Sequence, residues 1–214
     1  MEQTDVLFRR FWLLTVLGGL ERAGMCPVEF RSFNSVLYLV NTISSTYRVQ
    51  PLISTVVKEA SGPLYADLTW DIDRLVGMCL CSVHDLKFDS NRQERFVKYG
   101  ITEQGINLIN VAVAEISILE KIKEAIFSIA LAYGRNPASG LEGNLLLLDA
   151  NYATNKYQLR DVIDFGVWED FNATEYSIDY ISQCLASRMM RQPPSHVPVN
   201  LYTEYLSGGA YART

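Results

Sequence analysis

The chain has 214 residues, 49% of them hydrophobic and 20% charged, which is enough to bury one substantial core and too apolar for a disordered chain. Its net charge of −5 divides into about −2 over residues 1–133 and about −3 over 134–214, which argues against a protein that grips phosphates as its main task while leaving room for a local basic patch. Four cysteines without a CxxC pair and two histidines far apart predict reduced thiols in a cytoplasmic protein and no structural metal.

Leu7, Phe8, Phe11, Leu14 and Leu17 recur at helical spacing between Thr4 and Arg22, and Gly24 with Pro27 supplies a stop. The run from Phe11 to Leu20 follows Arg9 and Arg10 in the manner of a secretory signal. Ten residues are too few to span a bilayer, however, and acidic Glu2 and Asp5 precede the run while Glu21 and Arg22 follow it; a buried helix without membrane contact is the expectation. Phe33, Val36, Leu37, Val40 and Ile43 mark a second helix from Val28 to Ser44, and a third is expected from Gln50 to Glu59, with Pro51 in its first turn. The next helix starts at Pro63 and carries Leu64, Leu68, Ile72, Leu75 and Val76 toward the core up to Gly77, which leaves Asp67, Asp71 and Arg74 on its outer side.

Leu80–Phe88 and Phe96–Ile101 read as the strands of a β-hairpin joined through 89–95, and Thr102 is the N-cap candidate of the helix that follows. Lys87, Arg92, Arg95 and Lys98 bracket the hairpin tip. They are candidate contacts to a DNA backbone, the alternative being a solvated tip that resists edge pairing. From Glu103 helical periodicity continues to Gly134, predicting one helix of about 45 Å. GRNPASGLEG, residues 134–143, is the clearest loop and the expected boundary between residues 1–133 and a helical region, 134–191. Leu145–Leu148 is ambiguous between strand and helix. Gln158–Phe165 and Thr174–Met190 read as helices, and from Gln192 the sequence QPPSHVPV predicts an extended tail to Thr214.

Catalytic patterns are missing. No GxxxxGK[ST] or GxSxG occurs, and GGLERAG at 18–24 lacks the strand and glycine spacing of a nucleotide loop, reading instead as close packing at a helix end. Asp67, Asp71 and Asp73 lack the lysine or histidine companion that metal nucleases use. Cys79 and Cys81 alternate across a strand and cannot chelate together. His84 and His196 each stand alone, and the sequon Asn172-Ala173-Thr174 reads as an accident. The sequence therefore predicts no catalytic, cofactor-binding or metal-binding residue.

The order of a helical N-terminus, GPLYADLTWDIDRLVGMCLCSV, a hairpin and YGITEQGINLI resembles winged helix-turn-helix domains, with YGIT-x-x-G at Tyr99–Gly105 in the place where a wing strand enters the next helix. More narrowly, PLYADLTWDIDRLVGM at Pro63–Met78 is similar to the middle component of bacterial ABC-type three-component defence systems, including the small subunit of Lamassu-type systems. The likeness covers about residues 33–118. It implies a mainly α fold with a small β-hairpin: a winged-helix core, a long helix and a C-terminal helical region. It also implies a non-catalytic adaptor that bridges an SMC-like coiled-coil ATPase and a nuclease effector in defence against phage or plasmids. In that setting Asp67, Asp71 and Arg74 form a partner-binding face, since carboxylates repel a DNA groove. The alternative expectation is a winged-helix transcriptional regulator that dimerises through the helix from Glu103 and reads an operator.

Overall fold

The computed structural model describes residues 3–53, 55–60, 62–65, 68–89, 94–135, 146, 149–154, 157–164 and 172–211. The chain is mainly helical with two small antiparallel sheets. Helix α1 (Gln3–Arg22) is followed by strand β1 (Val28–Glu29), helix α2 (Phe30–Ile43) and a 3-10 turn (Ser44–Tyr47). Then come β2 (Thr55–Glu59), β3 (Gly62–Leu64), α3 (Leu68–Gly77), and the hairpin strands β4 (Cys81–Asp89) and β5 (Glu94–Ile101). Helices α4 (Glu103–Glu115) and α5 (Ser117–Gly134), strand β6 (Val162–Asp164), and helices α6 (Ala173–Met189) and α7 (His196–Tyr211) complete it.

Helix α1 is the central rod. Every residue from Trp12 to Leu20 is buried, as a helix that is apolar all round must be in order to shed its water. It packs most extensively along α5, and Gly19 is what permits that approach, because a Cβ there would sit 2.9 Å from Ala130 Cβ. Gly18 and Gly19 of GGLERAG thus serve helix packing, and Gly24, with a φ of 73°, takes the turn at the helix end, as the sequence context suggested. Helix α2 is buried from Phe33 onward and packs against α1 and α5.

The first sheet has the order β1-β5-β4, with Val28 opposite Tyr99 and Cys81 opposite Ile101. The hairpin expected from the sequence is present, with an irregularity between His84 and Lys87 where Asp85 takes a positive φ of 50°. The second sheet, β3-β2-β6, corrects three expectations. The Gln50–Glu59 segment is not a helix: its β-branched run Thr55-Val56-Val57 forms β2, and Asn41 Oδ1 accepts the backbone N–H groups of Leu52 (2.8 Å) and Ile53 (3.2 Å) just before it. Pro63 lies in β3 rather than starting α3, pairing with Lys58. Gln158–Phe165 is not a helix either, because Val162, Ile163 and Asp164 pair with Val57, Val56 and Thr55.

Two further corrections concern helices. The predicted long helix from Glu103 is two helices, since Ile116 is extended (φ −128°, ψ 99°) and caps one while opening the next. The β-branched residues Val111, Val113, Ile116 and Ile118 weaken helix continuity here, and α5 follows α1 with Ile122, Ile126 and Ile129 buried. The tail is not extended: α7 forms, with Pro198 in its first turn, where a missing N–H costs nothing, and Val199, Tyr202, Thr203 and Leu206 turned inward. The loop and boundary expected at 134–143 lie, beyond residue 135, outside the described residues. So do Leu145, Leu147 and Leu148, three of the four residues in the ambiguous run.

The described residues between 149 and 206 join the same core as the N-terminal helices, through Tyr152, Ile163, Ile178, Val199, Tyr202 and Leu206. The joint is a buried carboxylate. Asp149 accepts hydroxyl hydrogen bonds from Tyr38 on α2, Thr174 on α6 (2.7 Å) and Tyr202 on α7 (2.8 Å), and backbone N–H bonds from Asn151 (3.1 Å) and Tyr152 (2.9 Å). The sequon has a structural use here. Asn172 caps α6 by accepting from Glu175 N and donates to Thr42 O at 2.8 Å, while Thr174 serves Asp149.

Candidate interaction surface

The predicted partner face of α3 is rearranged. Leu68, Ile72 and Leu75 point inward as expected, and so does Asp71, which is 2% exposed. Its carboxylate accepts from Arg9 Nε and, at 3.0 Å, from Arg10 Nε, tying α3 to α1. Asp71 is therefore a structural anchor and not a partner contact. The signal was available: Asp71 lies three residues after Leu68 and four before Leu75, on the apolar stripe itself, and Arg9-Arg10 were the cations waiting for it.

Asp67 lies outside the described residues. Arg74 is exposed together with Trp70, Asp73 and Gly77, so these residues at i, i+3, i+4 and i+7 form the solvent face of α3. Asp73 and Arg74 cancel in charge, and Trp70, one turn earlier, is 75% exposed. The described part of the outward face thus carries one acid and one base beside an exposed tryptophan, with Asp67 outside the described residues.

On the hairpin, Lys87 is exposed and Lys98 lies 3.4 Å from Asp85, a surface pair worth little energetically. Arg92 is outside the described residues, and Arg95 is placed only as the strand partner of Phe88. Lys87 and Lys98 line a groove of about 530 Å³ with Arg31, whose guanidinium lies over the Phe96 ring. Glu29, Glu59 and Asp85 line the same groove. Among the described residues three cations face three carboxylates here, so these side chains give the wall no basic excess.

Helix α4 begins where the hairpin ends. Thr102 caps it by accepting from Gly105 N (3.1 Å), as expected, and donates to Cys79 O and Leu80 O. This seats the first turn of α4 on the turn between α3 and β4, so tightly that a Cβ on Gly105 would lie 2.3 Å from Leu80 O. Beyond that contact only Ile109 of α4 is buried. Ile106, Leu108 and Val111 are exposed, followed by Ile116 and Ile118, and no charged residue intervenes between Glu103 and Glu115. An amphipathic surface helix normally turns charge to water; between its terminal glutamates α4 turns Ile106, Leu108 and Val111 to it, interleaved with the uncharged amides Gln104, Asn107 and Asn110.

Among the described residues no group of three histidine, cysteine or acidic side chains is placed to hold a metal ion, and no helix is long and apolar enough to cross a membrane. The Cys26 and Cys81 thiols are pushed up to about 12, chiefly by burial, which keeps them protonated and poor nucleophiles at neutral pH. Ser82 and His84 are hydrogen-bonded at 2.9 Å on the hairpin, with no carboxylate in that bond. Comparison with protein-family models, with curated proteins and with solved structures gives no match.

Proposed function

We propose that this chain is a non-catalytic interaction subunit with a winged-helix core, which docks through α4 and the outer face of α3 on a larger partner. The core reading is supported by the order α1-β1-α2-α3-β4-β5 and the sheet order β1-β5-β4, with β2 and β3 as an insertion before α3. The observation that carries the functional reading is the exposed side of α4, which has no charge between Glu103 and Glu115 and presents Ile106, Leu108 and Val111 among uncharged amides. A helix side that carries aliphatic side chains and no charge is suited to burial against a protein partner. In the defence systems that Pro63–Met78 resembles, the partners are an SMC-like coiled-coil ATPase and a nuclease effector acting in the cytoplasm, and we assign this chain the bridging role between them.

The test is co-expression with the products of the adjacent genes. An ATPase that co-elutes with the wild-type chain and is lost on Val111→Asp or Ile106→Asp, with the thermal midpoint unchanged, is the expected result. Recovery of the wild-type chain alone, or sequence-specific and salt-sensitive binding of duplex DNA by the isolated chain, would favour the regulator reading instead.

A further inference from the structure

Helices α6 and α7 border a shallow cleft of about 450 Å³ that the docking face does not use. Tyr176 and Tyr180 stand one turn apart on α6, Tyr205 joins them from α7, and all three rings are more than half exposed. The floor is held firmly. Tyr202 donates its hydroxyl to Asp149, accepts from Ala150 N at 3.1 Å, and places its ring 6.5 Å from that of Tyr205. Among the described residues no charged side chain lines this cleft. A second hollow of about 180 Å³ shares Tyr180 and Ile181 and continues along α6 through Cys184 and Leu185 to Arg188, which is exposed. From Tyr176 to Arg188 the strip is about 18 Å long at the helical rise.

The chemistry of this strip selects its occupant. Without cations beside the phenol rings it has no grip on phosphates, which removes nucleic acid. Flat rings carrying hydroxyl donors match a chain that presents apolar rings and bare carbonyl acceptors but few N–H groups. A proline-rich segment in the polyproline II conformation is such a chain, and it enters binding with little entropy left to lose. At about 3.1 Å per residue, 18 Å holds about six residues. We propose that the α6–α7 cleft binds a proline-rich segment of about six residues from a partner protein, with an acidic residue at the end nearest Arg188. Its place in a complex rests on the interaction-subunit reading; the binding itself does not.

The experiment uses the full chain and fluorescein-labelled hexaproline peptides, one uncharged and others carrying aspartate at either end, with a Gly-Ser peptide of equal length as control, read by fluorescence anisotropy. The expected result is saturable binding of hexaproline at least tenfold tighter than the control. Tyr180→Ala should weaken it at least tenfold without moving the thermal midpoint, and Arg188→Glu should remove the advantage of one aspartate-bearing peptide only. Equal binding of hexaproline and control, insensitivity to Tyr180→Ala, or displacement by maltohexaose but not by unlabelled hexaproline would overturn the proposal. Partner capture through α4 is measured separately, so either reading can fail while the other stands.

Discussion

Tyr38 on α2 donates its hydroxyl to the carboxylate of Asp149, 111 positions further along the chain, and the same carboxylate holds Thr174 and Tyr202 from α6 and α7. One acceptor-only group thus satisfies three buried donors from three helices. Replacing it strands all three, and a hydrogen bond to a charged group contributes about 1.5–3 kcal/mol. Asp149→Ala is expected to cost at least about 3 kcal/mol in urea unfolding, while Tyr38→Phe, which removes a single donor, costs less. Equal losses would show that the carboxylate is not the organising group.

Asp71 separates folding from assembly. Asp71→Asn should cost about 2 kcal/mol by weakening the charge-assisted bonds to Arg9 and Arg10, whose side chains keep 20% and 27% exposure and so regain some water. Arg74→Glu, on the outer face, should change stability by no more than about 0.5 kcal/mol. Chemical denaturation of the two variants checks the contrast, and it makes Trp70 and Arg74, not Asp71, the α3 positions at which partner binding is to be probed.

Gly105 and Gly77 respond oppositely to alanine. At Gly105 the new Cβ would meet Leu80 O at 2.3 Å and Ile101 Cγ1 at 2.8 Å, and forcing the first turn of α4 off its seat should cost about 1–3 kcal/mol or more. At Gly77, at the end of α3, nothing lies within 4 Å, so alanine should gain up to about 1 kcal/mol from lower unfolded-state entropy. Thermal midpoints moving in the same direction would contradict the packing described.

Alkaline pH should unfold the protein. Burial pushes Cys26 and Cys81 from 9.0, and Tyr47, Tyr133 and Tyr152 from 10.0, up to about 12. For Tyr152 the cause is burial first, with the Glu59 carboxylate adding to it. Tyr38 and Tyr202 are raised further by burial and by the neighbouring Asp149 charge. Each group is neutral in the folded state, so its stabilisation is complete below the unfolded value and is lost as pH rises toward the folded one. Urea midpoints, measured with reductant, should hold steady from pH 7 to about 9 and fall steeply between about 9 and 12. A flat profile through about pH 11 would contradict the burial of these groups.

The parts of the fold legible in the sequence are those with local causes. Helices α1 and α2 follow from apolar periodicity, the β4–β5 hairpin from its alternating strands, and the start of α4 from Thr102, whose cap needs only the residue three positions on. Strand β6 is not legible because its pairing partner β2 lies about a hundred residues away, and β2 itself, which also pairs with β3, is marked locally only by its β-branched run. A short segment such as 158–165 carries no local record of such a partner. Helix α7 was hidden by its prolines, although Val199, Tyr202 and Leu206 already had helical spacing. The candidate face is the least legible part: the stripe traced through its apolar residues Leu68, Ile72 and Leu75 leaves Asp71 outside it, whereas in the structure Asp71 turns inward with them toward Arg9 and Arg10.

The sequence by itself determined the mainly helical class, the burial of α1, the hairpin and the lack of recognised catalytic patterns, since composition, periodicity and caps act within a few residues. Only the tertiary structure decided that Arg9 and Arg10 neutralise Asp71, that Asp149 gathers α2, α6 and α7, and that Ile106, Leu108 and Val111 of α4 stay in water. Those outcomes depend on which distant groups meet. A carboxylate reads as surface in the sequence until the donors that satisfy it are brought to it from elsewhere in the chain.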